Sequence, residues 1–172
     1  MTLPAAPARQ LALDFDALYR AARDDVFAYV ATLLRDRGAA EDVTAAAFER
    51  AFRRSKTYDA RRGSERAWLF GIARNAALDE LRKRKRTAAI VTEPEATTQQ
   101  PEEELDHALR RAAVQTAMAT LPSRDRELIA LKFHAGLDNA ELAAVLGVSV
   151  TNAGTRLHRV LTKLREVLDD QS

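Results

Sequence analysis

Apolar side chains recur at three- and four-residue steps along most of this chain, a period that commits it to helices. Between Asp14 and Arg35, the residues Phe15, Leu18, Tyr19, Ala22, Val26, Tyr29, Val30 and Leu33 fall on one helical stripe. Asp14 or Asp16 suits its start, and Gly38 follows its end. A second helix is expected over 39–54, with Val43, Ala47, Phe48, Ala51 and Phe52 turned inward. The loop KTYDARRGS follows, with Gly63 as breaker and Ser64 as cap. A third helix is then expected over 65–86, its apolar side formed by Trp68, Leu69, Ile72, Ala76, Leu78 and Leu81.

The period fails once. Residues 87–104, TAAIVTEPEATTQQPEEE, hold two prolines, several Thr and Gln, and acids without a base. Such a composition cannot bury enough apolar surface to offset the entropy of ordering, so a flexible linker is expected. Helices resume over 105–119, 123–135, 138–146 and 149–168, broken at Leu121-Pro122-Ser123, at Ala135-Gly136 and at Gly147. The expected fold is all-α: a helical domain at 10–86, an acidic linker at 87–104, and a second helical domain at 105–170. With only six Gly and five Pro among 172 residues, few breakers oppose it.

Several function classes drop out. No run approaches the roughly 18 uncharged apolar residues of a membrane span, and the start has no signal-peptide core. Zero Cys excludes disulfides, thiolate metal sites and thiol nucleophiles. His107, His134 and His158 are widely spaced and form no ligand pair. Asp24-Asp25 and Glu41-Asp42 read as helix-start or solvated charges, and no Gly-rich phosphate loop occurs. The expectation is a cytoplasmic protein that is not an enzyme and uses no cofactor, metal or small-molecule substrate.

Charge points to a polyanion. Lys and Arg number 27 against 25 Asp and Glu, yet residues 50–86 carry 13 basic and 4 acidic side chains. Residues 87–106 carry 6 acids and no base. A basic block of this kind favours nucleic acid, because each neutralised phosphate releases condensed counterions. A solvated basic helix face is the plainer explanation.

The tail narrows the choice. LDNAELAAVLGVSVTNAGTRLHRVLTKLR, residues 137–165, reads as a short helix, a glycine turn and a longer helix. Asp138 and Glu141 form a capping-box pair, Ala143 is small where two helices cross, and Ser149 caps the second helix. Leu142, Leu146, Val148, Ala153, Leu157, Val160 and Leu164 would pack inward, leaving Thr151, Asn152, Thr155, Arg156 and Arg159 outward. In a helix-turn-helix the second helix enters the major groove. There Asn and Arg pair with adenine and guanine edges, while Thr and further Arg hold phosphates. His158 belongs to this helix face.

The order of these parts resembles the bacterial sigma factors, specifically the small two-domain extracytoplasmic-function type of the sigma-70 class. AEDVTAAAFERAFR (40–53) resembles the helix that docks on core RNA polymerase. SERAWLFGIARNAALDELRKRKR (64–86) resembles the helix that meets the promoter −10 element, and residues 121–165 resemble the −35-binding domain. The resemblance implies a transcription initiation factor that binds core polymerase, directs it to promoter DNA and aids opening. It also implies control by an anti-sigma partner.

Carried onto this chain, the resemblance implies polymerase contacts by Asp42, Phe48 and Arg50. On the −10 side it implies Arg74, Asn75, Asp79, Arg82, Lys83 and Arg86 along the helix. Lys56, Tyr58, Arg61 and Arg62 lie in the loop that would capture an unpaired base, where positive charge holds the strand. Trp68, at an apolar position, is expected in the core. Ala45 and Ala46 replace polar handles common in the family, Gly154 stands where Lys is usual, and Thr151 where Gly is common. The acidic linker could imitate a polyanion in a polymerase channel. Two rivals are a helix-turn-helix regulator acting without polymerase and a helical adaptor for an acidic partner. The second leaves the helix-turn-helix unexplained.

Overall fold

A computed structural model describes residues 12–87 and 105–170. Its elements are α1 (Phe15–Leu34), α2 (Arg37–Arg53), a 3-10 turn (Ser55–Thr57), α3 (Glu65–Thr87), α4 (Leu105–Thr120), α5 (Ser123–Phe133), α6 (Asn139–Leu146) and α7 (Val150–Asp169). Among the described residues the fold is all-α. Helices α1, α2 and α3 pack on one another, and α4, α5 and α6 gather on α7. The linker expectation falls on 88–104, outside the described residues.

Local chemistry sets the helix ends. Asp14 accepts from the Ala17 N–H and starts α1, so of the two candidate caps Asp14 serves. Helix α1 ends at Leu34, close to the expected end near Arg35, but the left-handed residue that closes it is Arg35 at φ 53° and not Gly38. Asp36 then caps α2 at once by accepting from the Ala39 N–H, which leaves Gly38 inside that helix. A second correction concerns Phe52, expected inward but 63% exposed. Its ring lies on the outer side of α2 and meets Phe15 edge-on at 5.2 Å.

The core is one continuous body. Val26, Tyr29 and Val30 of α1 and Leu69 and Phe70 of α3 are fully buried, as are Leu128 and Leu131 of α5 and Leu142 of α6. Each such side chain removed from water contributes about 1.5–3 kcal/mol. The two helical groups also meet directly: α5 packs against α1, and α3 against α6. Chain order alone suggested two bodies on a tether; here one apolar cluster runs through both.

His134, at the end of α5, sits in this seam. Partial burial pulls its imidazole below the usual 6.5, while Asp25 acts more weakly in the opposite sense. The folded state therefore holds it neutral at pH values where the unfolded chain takes up a proton. Stability is expected to fall as pH drops below 6.5, because the unfolded state then binds more protons. Urea midpoints at pH 7.5 and 5.5 check this: His134→Gln should lose less stability across that interval than the native chain.

Candidate nucleic-acid interface

The helix-turn-helix is built by its caps. Asp138 accepts from the Glu141 N–H at 2.8 Å, and the Glu141 carboxylate accepts from the Asp138 N–H at 3.0 Å. Gly147 closes α6 at φ 68°, a left-handed conformation that β-carbons resist. The Ser149 hydroxyl accepts from the Asn152 N–H and starts α7. Ala143, Ala153, Leu157 and Val160 are buried, which fixes the rotation of α7. Thr151, Asn152, Thr155 and Arg159 are consequently exposed on its outer side, and Arg156 is half-buried beside them. His158 is exposed on the same helix.

Helix α3 supplies a second polar surface. Asn75, Asp79, Arg82, Lys83 and Arg86 are exposed, while Ala73, Ala76 and Ala77 face the core. Asp79 is shared between Arg82 at 3.1 Å and Arg50 of α2 at 3.3 Å. Both pairs are solvent-exposed and contribute little to stability; they are available for exchange with a partner. Arg84 differs from its neighbours in the basic run. It donates to the Leu34 carbonyl and pairs with Asp36 and Glu80, stapling α3 to the α1–α2 turn. A one-residue step rotates a helix position by about 100°, so the run splits between outward and inward cations.

The loop before α3 is organised rather than open. The Tyr58 hydroxyl donates to the Gly63 carbonyl at 3.0 Å, and its ring meets Trp68 edge-on at 5.6 Å. Trp68 is packed against the core. Asp59 accepts from the Arg61 backbone N–H and from both ends of its guanidinium, and these bonds hold its carboxyl below the usual range. Arg61 is thus paired with Asp59 while still exposed, and Lys56 and Arg62 are exposed at the loop surface too. On α2, Asp42 and Arg50 are exposed, but Phe48 is buried against Phe15 and Tyr19. Its ring orients the helix from beneath.

One residue of the α3 surface is turned inward. Arg74 is half-buried and donates to Glu127 of α5. Glu127, Arg66 and the Arg84 staple were not singled out from the sequence; their partners lie far along the chain.

Residues 18–87 match Sigma-70 region 2, and residues 111–164 match Sigma-70, region 4. The chain is 31% identical to the ECF RNA polymerase sigma factor SigL of Mycobacterium tuberculosis, over 90% of each chain. The chain belongs to the ECF RNA polymerase sigma factors. Against the ECF sigma factor BldN of Streptomyces coelicolor, identity is 29% over 92% of this chain, which spans 61% of BldN's length. CnrH, solved with the cytosolic domain of CnrY, is 26% identical and superposes with a TM-score of 0.67. That match covers 92% of this chain and 89% of CnrH. The same fold appears in RpoE of Bartonella quintana, solved with the anti-sigma factor NepR, at a TM-score of 0.76 and 24% identity. It covers 91% of this sigma factor and 97% of RpoE. Among the described residues of this sigma factor, no helix is long and apolar enough to cross a membrane.

Proposed function

We propose that this sigma factor binds core RNA polymerase and directs it to promoters whose −10 and −35 elements are read by its two helical units. The division is residues 10–86 for docking and the −10 element, and 105–170 for the −35 element. The observation that carries this is the pairing of two exposed polar helix surfaces, one on α3 and one on α7, in a chain with region 2 and region 4 in order. Asp42 and Arg50 present side chains to the polymerase, with Phe48 holding their helix in place. Asn75, Asp79, Arg82, Lys83 and Arg86 face the −10 side, and Arg74 joins them when released from Glu127. Lys56, Arg61 and Arg62 hold the displaced strand beside Tyr58 during opening. On α7, Asn152 and Arg156 read base edges while Thr151, Thr155 and Arg159 hold phosphates.

Polymerisation chemistry belongs to the polymerase, so the chain acts by binding and is not itself an enzyme. It works in the cytoplasm, where promoter DNA lies. The sigma factor RpoE has been solved with the anti-sigma factor NepR, and CnrH with the cytosolic domain of CnrY; we assign an anti-sigma partner to this chain. Run-off transcription with core polymerase and this protein tests the proposal. Promoter-dependent transcripts are expected only when both are present; their absence would overturn it.

Gly154 allows a finer test on α7. A β-carbon there would stand 3.5 Å from the Asn139 amide nitrogen, an ordinary contact. Gly154→Lys should therefore fit, relieve about 0.5–1 kcal/mol of helix cost and add one phosphate contact. Its DNA affinity should rise, and the slope of log affinity against log salt should steepen by about 0.9. Fluorescence anisotropy on a −35 duplex across a salt series checks both.

A further inference from the structure

We propose that a cavity lined by α1, α3 and α5 binds an amphiphilic anion, a medium-chain alkyl carboxylate, with its head on Arg124 and Arg126 and its chain on Leu33, Leu78 and Leu81. The cavity has a volume of about 260 Å³. Its three leucines are only half-buried, so the helices leave part of each side chain uncovered. Arg124 is exposed and Arg126 half-buried at the same space. Apolar surface and positive charge thus converge on one small concave site, the requirement of a ligand with an apolar body and an anionic end.

The positive charge is unanswered. Glu127 and Arg74 also line the cavity, but Arg74 donates to Glu127, which accepts from the Tyr29 hydroxyl as well. Arg124 has no hydrogen bond or ion pair among the described residues. Arg126 donates to the backbone carbonyls of Leu121 at 2.8 Å and Ala119 at 3.4 Å, and no carboxylate among the described residues pairs with it. Asp125 does not line the cavity, and Asp36 is paired with Arg84. A third cation adds to the excess. Partial burial, and after it the charge of Arg35 at the end of α1, pull the Arg126 guanidinium below its ordinary value. A bound anion would offset both penalties. The guanidinium fork also matches the two oxygens of a carboxylate, and the Ser123 hydroxyl, without a hydrogen bond among the described residues, is available to the same head.

The leucines select among anions. Inorganic phosphate and a DNA backbone bring nothing apolar to meet them. A nucleotide would lack a stacking partner, since no aromatic side chain lines the cavity. An alkyl carboxylate uses both surfaces. At about 30 Å³ for each water-sized group, the space holds about nine such groups, the size of octanoate. This inference goes beyond promoter recognition and does not depend on it.

Isothermal titration calorimetry of the full chain with straight-chain carboxylates tests the site, and leucine-methyl NMR locates the chain within it. From butanoate to octanoate, each methylene should tighten binding about fourfold. The gain should stop at decanoate, once the cavity is full. Octanol, with the same chain and no charge, should bind about tenfold more weakly than octanoate. Arg124→Gln should keep the native circular dichroism and urea midpoint while weakening octanoate about tenfold. Arg20→Gln, an equal change of charge at an exposed position of α1, should bind octanoate like the native chain. Leu81→Ala should flatten the gain per methylene. Absence of saturable binding, affinity that climbs unchecked past octanoate, or octanol or inorganic phosphate matching octanoate would overturn the proposal. So would a folded Arg124→Gln chain with native affinity, or methyl shifts confined to leucines outside Leu33, Leu78 and Leu81.

Discussion

Phe70→Ala is expected to lower the unfolding free energy by about 3–5 kcal/mol, the cost of deleting a fully buried aromatic ring together with the cavity it leaves. Phe70 has no exposed surface. Its ring meets Tyr29 edge-on at 5.6 Å, and the Arg66 guanidinium lies 5.4 Å from its centroid. Truncation therefore removes transfer energy, an aromatic pair and the platform beneath Arg66. Leu69 and Ala73 on the same helix and Tyr29 against the ring are themselves fully buried, so little can move in to refill the space. Phe52→Ala is the control: that ring is 63% exposed, and its loss should cost about 1 kcal/mol or less. Chemical denaturation of both variants measures the difference. Equal losses would mean that Phe70 is not the core residue the packing makes it.

Asn152→Ala should weaken binding to a −35 duplex by about 10–100-fold and relax preference at one base pair, the expected loss of a bidentate base contact. Arg159→Ala should instead weaken binding to all sequences alike and reduce the salt slope by about 1, as removal of a phosphate contact does. The helix itself should survive both changes. The cap at Ser149 uses the backbone N–H of Asn152, not its amide side chain, and Arg159 is exposed on α7. Competition binding against a panel of single-base variants at two salt concentrations separates the two effects. An Asn152→Ala loss that is uniform over the panel would remove Asn152 from base readout.

Helix positions were legible because a helix is a local object. Its signals sit within four residues of one another: the apolar step, the Asp138–Glu141 pair, the Ser149 cap and the left-handed Gly147. The outward set on α7 followed, since naming Ala153, Leu157 and Val160 as inward leaves little freedom for the rest. Errors arose where the same local types serve two purposes. Gly38 looked like punctuation, and only the adjoining ends of α1 and α2 show that Arg35 and Asp36 do the work. Phe52 satisfied the apolar period but sits at the margin of the α1–α2 contact, where Phe15 covers only part of its ring.

By itself, then, the sequence determined the helices, their caps, the helix-turn-helix and the segregation of basic charge into 50–86. Tertiary structure alone decided which cations in that block face solvent. Arg82, Lys83 and Arg86 face solvent, Arg84 staples the α1–α2 turn, and Arg74 is spent on Glu127. The reason is distance along the chain. Arg74 and Tyr29 stand 53 and 98 residues from the carboxylate they share, and no local pattern announces a partner so remote. A buried Glu reads in sequence like any solvated helix acid; only the packing of α5 across α1 reveals what it holds.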